Sequence, residues 1–167
     1  MPDPEERFVS ATKYVQYGDR GFWVYDIVLG VFVKHLVDVV EATEHSRAAF
    51  LDAALRHWRL TPFLDIGVHF EKSWTELQRQ NVIAFLEEAC DRLGTRDSIP
   101  MEEIVNWTFG GDLRLFHRGL MEVRTAPVIE LGTAIIALLR DELPQAPEAE
   151  AWFFTHTGRS TIGMETS

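Results

Sequence analysis

Apolar residues dominate the stretch 22–40, and the charged positions within it recur at helical spacing. At about 100° per residue, Asp26, Lys34 and Asp38 fall on one narrow face, and hydrophobic side chains cover the other faces. This pattern predicts a central helix that is buried on most sides. Because charges are costly at membrane depth, we expect the helix to lie in a protein core and not in a membrane.

Further segments repeat apolar residues at the spacing of one helical face. A capping box at Ser73 and Glu76 predicts a helix that begins near Trp74 and ends at Gly94. Pro127, at a first-turn position, opens the last clear helix. Besides the central helix, the pattern predicts helices over residues 44–59, 74–93, 98–110, 112–125 and 127–143.

Two segments leave more than one conformation open. Pro62 bars helix before it, and the run 63–70 fits either a short strand or an extended connection. In 112–125 the residues 113–115 alternate as in a strand, but we interpret the segment as helix from its apolar positions. Those that share a helical face are Leu113, Phe116, Leu120 and Val123.

The end of the chain has a different pattern. Residues 145–151 are rich in Pro, Ala and Glu and are predicted to be a surface linker. Two β-prone runs in 152–164 flank His156, Thr157 and Gly158, which predicts a hairpin with Gly in the loop. Its three aromatic residues, 152–154, are expected to dock the hairpin onto the helices.

Together these elements predict a mainly α protein. We expect a single domain over residues 1–167, built as a bundle of about five to six helices with a small C-terminal β-hairpin and room for one or two short extra strands. Residues 1–20 form an N-terminal segment in this scheme. The predicted core consists of Phe32, Leu36, Phe50, Trp58, Phe85, Leu86, Ile135 and Leu138.

Composition agrees with a globular domain. The chain has 167 residues, of which 46% are hydrophobic, enough to form a core without disulfides. The single cysteine, Cys90, lies on the apolar face of its predicted helix and is interpreted as a core residue. The acidic N-terminus lacks the features of a signal peptide, so we expect a soluble, cytoplasmic protein.

The net charge of −10 restricts the choice of partners. Nucleic-acid affinity depends on Lys and Arg that displace counterions from phosphates, so this balance disfavours nucleic acid. An acidic surface attracts basic proteins and speeds the encounter with them; the alternative is that it serves only solubility. We therefore expect no nucleic-acid or membrane partner, and a basic protein partner becomes a candidate.

Motifs for nucleotide, hydrolase and zinc chemistry are missing from the sequence. His35 and Asp38 have a spacing that suits two ligands of one metal ion, but a helical site also needs ligands from a second helix. We prefer a His that is hydrogen-bonded to a neighbour at the apolar boundary. The sequence thus predicts no metal and no cofactor.

The C-terminal hairpin holds the best candidate for a ligand site, and the alternative is a hairpin that serves only in packing. Arg159 can clamp a carboxylate or phosphate, and nearby hydroxyls and a histidine can donate to the same anion. The candidate ligand-binding residues are Thr155, His156, Thr157, Arg159 and Ser160. Because strand side chains alternate between faces, only about half of them can meet one ligand.

Two functions follow from these observations. The first is a non-catalytic interaction protein of the immunity or antitoxin type, which binds a basic partner through acidic surface and exposed aromatic residues. The second is a binder of a small-molecule anion, or an enzyme, with His156 as acid or base. Its pocket would open between the hairpin and the helices, and its candidate walls are Tyr14, Tyr17, Trp23 and Trp107. The oligomeric state and the identity of partner or ligand stay open.

Overall fold

The computed structural model describes residues 12–43, 49–63, 67–109, 114–115, 117 and 119–163. Over these residues the protein is a mixed α/β fold, 47% helical and 24% strand, with a five-stranded sheet, a two-stranded sheet and five helices. The prediction of a mainly α bundle is therefore wrong. None of the helices in the described ranges is long and apolar enough to cross a membrane.

The largest error concerns the N-terminal part of the chain. Strands β1 (Thr12–Tyr17) and β2 (Arg20–Tyr25) form an antiparallel hairpin. Gly18 in the turn between them has a φ of 64°, a conformation that favours glycine. The β2 residues 22–25 are all apolar, so they show no alternation and resemble the start of a buried helix. Helix α1 consequently begins at Asp26 and not at Phe22.

The helices are α1 (Asp26–Glu41), α2 (Ala49–Leu60), α3 (Glu76–Leu93), α4 (Met101–Ile104) and α5 (Thr125–Leu139). The prediction that α1 is buried on most sides is confirmed. The capping box of α3 is formed by Thr75 and Gln78, two residues later than predicted, and Gly94 is the C-cap as predicted. The predicted helical residues 44–48 lie outside the described residues.

Three short strands replace predicted helix or open connections. β3 (Val68–Phe70) lies in the run 63–70, and β4 (Ser98–Pro100) pairs with β5 (Glu122–Arg124). Helix was therefore the wrong interpretation at the start of 98–110 and at the end of 112–125. Three residues of alternating exposure are too short to reveal a strand in the sequence. Leu113 and Phe116 lie outside the described residues.

The C-terminal hairpin belongs to the main sheet. Its strands are β6 (Glu150–Thr155) and β7 (Gly158–Gly163), and the sheet order is β3-β1-β2-β6-β7. β6 runs parallel to β2, with Trp23 opposite Phe153 and Val24 opposite Phe154. The aromatic residues of the tail are thus held by strand pairing as well as by contact with the helices.

The sheet has two different faces. Val15, Phe22, Val24 and Phe154 are fully buried and belong to the hydrophobic core that the helices share, so they define the inner face. Strand residues between them point to the opposite, outer face. Of the predicted core residues, Phe50 and Phe85 are only partly buried, whereas the others are buried as predicted, namely Phe32, Leu36, Trp58, Leu86, Ile135 and Leu138.

Candidate functional site

Aromatic residues line the outer face of the main sheet. The rings of Tyr14 and Trp23 lie 5.0 Å apart on neighbouring strands, and the rings of Tyr25 and Phe153 are also 5.0 Å apart. The register brings the two pairs together, because Trp23 stands opposite both Tyr14 and Phe153. We call these four residues the aromatic stripe. Tyr14, Trp23 and Tyr25 are partly exposed to solvent.

An open cavity of about 760 Å³ lies at the end of the stripe, beside the β1–β2 turn. Tyr14 and Trp23 form one wall, and the segment 143–152 forms the other. Gly21 belongs to the lining, and a Cβ there would lie 2.8 Å from the Tyr14 ring. The ring therefore rests against the bare backbone of β2 at Gly21.

The segment 143–152 is fixed in its position as a wall. The indole nitrogen of Trp152 donates to the carbonyl oxygen of Pro144 at 2.7 Å, which closes a loop over the intervening residues. Within the loop, the Glu150 amide donates to the Pro147 carbonyl at 3.0 Å. The predicted linker 145–151 is thus part of the candidate site.

Charged groups at the cavity are predominantly acidic. Asp19, Glu148 and Glu150 line it, and Arg20 is the one cation among the described lining residues. The Arg20 guanidinium is already engaged, since it donates to the Asp141 carboxylate at 2.9 Å and to the Leu143 carbonyl. Burial raises the pKa of the Tyr14 hydroxyl, so this group stays neutral at physiological pH. The cavity therefore combines aromatic walls with an excess of negative charge.

A second polar cluster lies at the opposite end of the sheet. The His156 ring stacks on Tyr25 with centroids 6.0 Å apart and lies 6.4 Å from the His117 ring. Burial raises the pKa of the Asp26 carboxyl, although the charges of His117 and Lys13 act to lower it. Tyr25 of this cluster follows Trp23 of the cavity lining by two residues on the same face of β2, about 7 Å along the strand. The cluster and the cavity are therefore joined by the aromatic stripe.

The predicted hairpin residues do not meet at one point. The Arg159 guanidinium lies over the Trp152 ring at 4.4 Å, and the next residue, Ser160, projects from the opposite face of β7. The hydroxyls of Thr155 and Thr157 contact each other at 2.9 Å. A carboxylate oxygen of Glu130 accepts from the Arg159 amide at 3.2 Å, which places negative charge beside the hairpin turn.

Only some of the predicted walls line the observed cavity. Tyr14 and Trp23 do. Tyr17 lies on the inner face, where the Lys72 ammonium sits 4.2 Å from its ring, and Trp107 packs edge-on against His35. Sequence reasoning missed the wall at 143–152. The sequence did hold a signal for the two faces of β2: Trp23 carries a polar atom, whereas its neighbours on the other face do not.

The candidate metal ligands on α1 have other partners. A ring nitrogen of His35 bonds the Val31 carbonyl at 2.8 Å, and Asp38 pairs with Lys34 at 3.1 Å. Within the part of the chain that the structure describes, no group of three His, Cys, Asp or Glu side chains is placed to hold a metal ion. Burial raises the pKa of the Cys90 thiol to about 11, so it is almost entirely protonated at neutral pH.

Comparison with known proteins returned no match to a family model, to a curated protein or to a solved structure.

Proposed function

We propose that this protein is a non-catalytic interaction protein of the cytoplasm, of the immunity or antitoxin type, which binds a basic protein partner. The observation that carries the proposal is the outer face of the main sheet, where the aromatic stripe lies beside the carboxylates of Asp19, Glu148 and Glu150. Tyr and Trp are enriched in interfaces and dominate their binding energy. We assign this outer face to the partner.

Charge supports a basic partner over an acidic one. The chain has 26 acidic and 16 basic residues, so a positively charged protein is attracted from a distance. At the outer face, the one lining cation among the described residues is Arg20, which pairs with Asp141 within the protein. Its charge is therefore largely neutralised, and it does little to repel a cationic surface.

The fold supports binding through a preformed surface. Helices α1 and α5 contact strands of the main sheet, whose inner face carries the buried residues Phe22, Val24 and Phe154, whereas the outer face carries the stripe beside the segment 143–152. Strand pairing holds Trp23 between Tyr14 and Phe153. A rigid aromatic surface loses little side-chain entropy when a partner covers it.

The test compares stripe and control variants as bait for proteins from an extract of the producing cells. Trp23→Ser removes an aromatic side chain of the stripe, and Leu77→Ser removes an exposed apolar side chain on α3, where Leu77 is 72% exposed. Glu148→Lys reverses a charge at the cavity, and Asp91→Lys reverses an exposed charge on α3. Circular dichroism and thermal unfolding select the variants that stay folded.

We expect the wild type and both α3 variants to retain the same stoichiometric, positively charged partner. Trp23→Ser should weaken its binding at least about tenfold, as expected for a central interface residue. Glu148→Lys reverses a charge at the rim and should weaken binding severalfold, and binding should weaken as salt increases. A partner that binds Trp23→Ser and Glu148→Lys as tightly as it binds the wild type would overturn the proposal. So would a negatively charged partner, no stoichiometric partner, or a second copy of this chain on the stripe, detected by light scattering.

A further inference from the structure

The cavity beside the β1–β2 turn has the chemistry of a cation site. Tyr14 and Trp23 both line the cavity, and their rings are inclined at 60° to each other with centroids 5.0 Å apart. The negative face of an aromatic ring attracts an ammonium or guanidinium group, and the attraction is strongest for Trp. Two neighbouring rings can both attract one cation that enters the cavity.

The carboxylates of the lining favour the same ligand. Asp19 and Glu148 are exposed at the rim, and Glu150 lies partly buried at the start of β6. Arg20 cannot attract an anion strongly, because Asp141 lies 2.9 Å from its guanidinium. An anionic ligand would therefore meet unbalanced negative charge, whereas a cationic ligand would be stabilised by it.

The same chemistry occurs elsewhere in the protein. Lys72 lies over Tyr17 with its ammonium 4.2 Å from the ring centroid, and Arg159 lies over Trp152 at 4.4 Å. Trp152 also belongs to the lining of the cavity, but Arg159 already lies over its ring. The rings of Tyr14 and Trp23 are the lining aromatics against which a ligand would pack.

The size of the cavity indicates what can enter it. Its volume of about 760 Å³ lies within the range of small-ligand sites. It exceeds the volume of one Arg or Lys side chain, so there is room for the backbone and a neighbouring residue as well.

We infer that this cavity binds a guanidinium or ammonium side chain from a basic segment of a protein. This inference rests on the proposed function, because it names the group of the basic partner that the outer face recognises. Tyr14 and Trp23 provide the ring faces, and Asp19, Glu148 and Glu150 provide the opposite charge.

The test uses hexa-arginine as the probe and hexa-citrulline as its neutral isostere, with binding followed by NMR through the indole signal of Trp23. The signal is assigned by its loss in Trp23→Leu. We expect hexa-arginine to shift this signal and hexa-citrulline to bind at least tenfold more weakly, because the neutral urea group lacks the charge. Free arginine amide is a third probe, which reports whether a small cation alone fills the site.

Matched variants separate the site from general charge attraction. Trp23→Leu keeps an apolar side chain but removes the ring, and should weaken hexa-arginine binding about tenfold, measured by calorimetry. Glu148→Gln should weaken it about two- to threefold, whereas Asp91→Asn, an equal loss of charge on α3, should leave it unchanged. Equal binding of hexa-citrulline, or equal losses in Glu148→Gln and Asp91→Asn, would overturn the inference.

The outcomes also distinguish this inference from the proposed function. If a basic partner binds the stripe but hexa-arginine does not reach Trp23, the cavity inference fails and the proposed function stands. If hexa-arginine fills the cavity and no protein partner binds, the proposed function fails. Binding of arginine amide as tight as that of the peptide would then assign the site to a small cation, and would contradict the protein segment as the ligand.

Discussion

Arg20 donates a hydrogen bond to Asp141 at 2.9 Å, across 121 positions of the sequence. The contact joins the β1–β2 turn to the C-terminal end of α5. Asp141 has a φ of 58°, and the hydrogen bonds from its own amide to Leu138 and from Glu142 to Ala137 form a Schellman motif. Glycine is the usual residue at that position, so the aspartate combines a strained backbone with the ion pair that anchors one wall of the cavity.

Substitutions of Asp141 should separate backbone strain from the ion pair. Asp141→Ala loses the contact with Arg20 and keeps a Cβ at positive φ without the polar side chain that helps Asp to adopt this conformation, so it should lower the free energy of unfolding by about 1–2 kcal/mol. Asp141→Gly loses the same contact but relieves the strain, so it should stay within about 0.5 kcal/mol of the wild type. Urea unfolding measures both. Equal losses in the two variants would contradict the role of the backbone.

The C-terminal hairpin should be essential for stability, because β6 is an interior strand of the main sheet. Phe154 is 1% exposed and packs on Phe22 with ring centroids 4.7 Å apart, so Phe154→Ala should cost about 3–5 kcal/mol. Ile162→Ala is the control, since Ile162 is 37% exposed, and it should cost less than about 1 kcal/mol. A chain that ends before Ala151 should not fold. A cooperative thermal transition in that truncated chain would show that β6 is dispensable.

Stability should fall as the pH is lowered from 7 toward 5, partly because of His57. The His69 amide donates to Nε2 of His57 at 3.0 Å, which requires the unprotonated nitrogen. Burial, and secondarily the charge of His69, lower the pKa of His57 in the folded state. Between that lowered pKa and the unfolded value of about 6.5, the unfolded chain binds more protons, so acidification favours unfolding.

His57→Gln should therefore flatten this pH dependence, because Gln keeps an acceptor but does not titrate. Burial also lowers the pKa of His35, so this residue likewise makes the free energy of unfolding fall as the pH is lowered. Asp26 acts in the opposite sense, since its raised pKa favours the folded state as it becomes protonated. The measurement is the difference between wild type and His57→Gln in urea unfolding at a series of pH values. Parallel profiles would exclude His57 as a contributor.

Sequence patterns predicted the elements in which one periodicity is clear. In α5, Leu131, Ile135 and Leu138 repeat on one face and are buried as expected. In β2, by contrast, both faces are apolar, so the local pattern does not distinguish strand from helix. The pairing of Trp23 with Phe153 decides between them, and it joins positions far apart in the sequence. Local propensity carries no information about such a contact.

The candidate site was harder to predict than the fold. The aromatic residues Tyr14 and Trp23 are visible in the sequence as possible pocket walls, and they do line the cavity. The opposite wall is a segment whose Pro, Ala and Glu composition is typical of a linker. It becomes a wall because Trp152 bonds Pro144 and because Arg20 holds the end of α5. These contacts depend on the sheet order, which the sequence pattern did not reveal.

The contact between α3 and α5 offers a last test of the core. A Cβ at Gly132 would lie 2.5 Å from both the Cys90 sulfur and the Phe32 ring, so this glycine allows the two helices to pack closely. Gly132→Ala should force the helices apart and cost about 1–3 kcal/mol. Gly94→Ala is the matched control, because its φ is −67° and the nearest atom to a new Cβ is 3.4 Å away.

Cys90 gives a second readout of the same contact. Burial raises the pKa of its thiol to about 11, so the wild type should react with iodoacetamide at pH 8 far more slowly than a free thiol. If Gly132→Ala loosens the packing between α3 and α5, Cys90 becomes more exposed and its alkylation should accelerate severalfold, whereas Gly94→Ala should leave the rate unchanged. Mass spectrometry after timed labelling measures the rate. A destabilised Gly132→Ala with an unchanged rate would mean that the strain is absorbed on the Phe32 side, since Phe32 is the other side chain that the new methyl group meets.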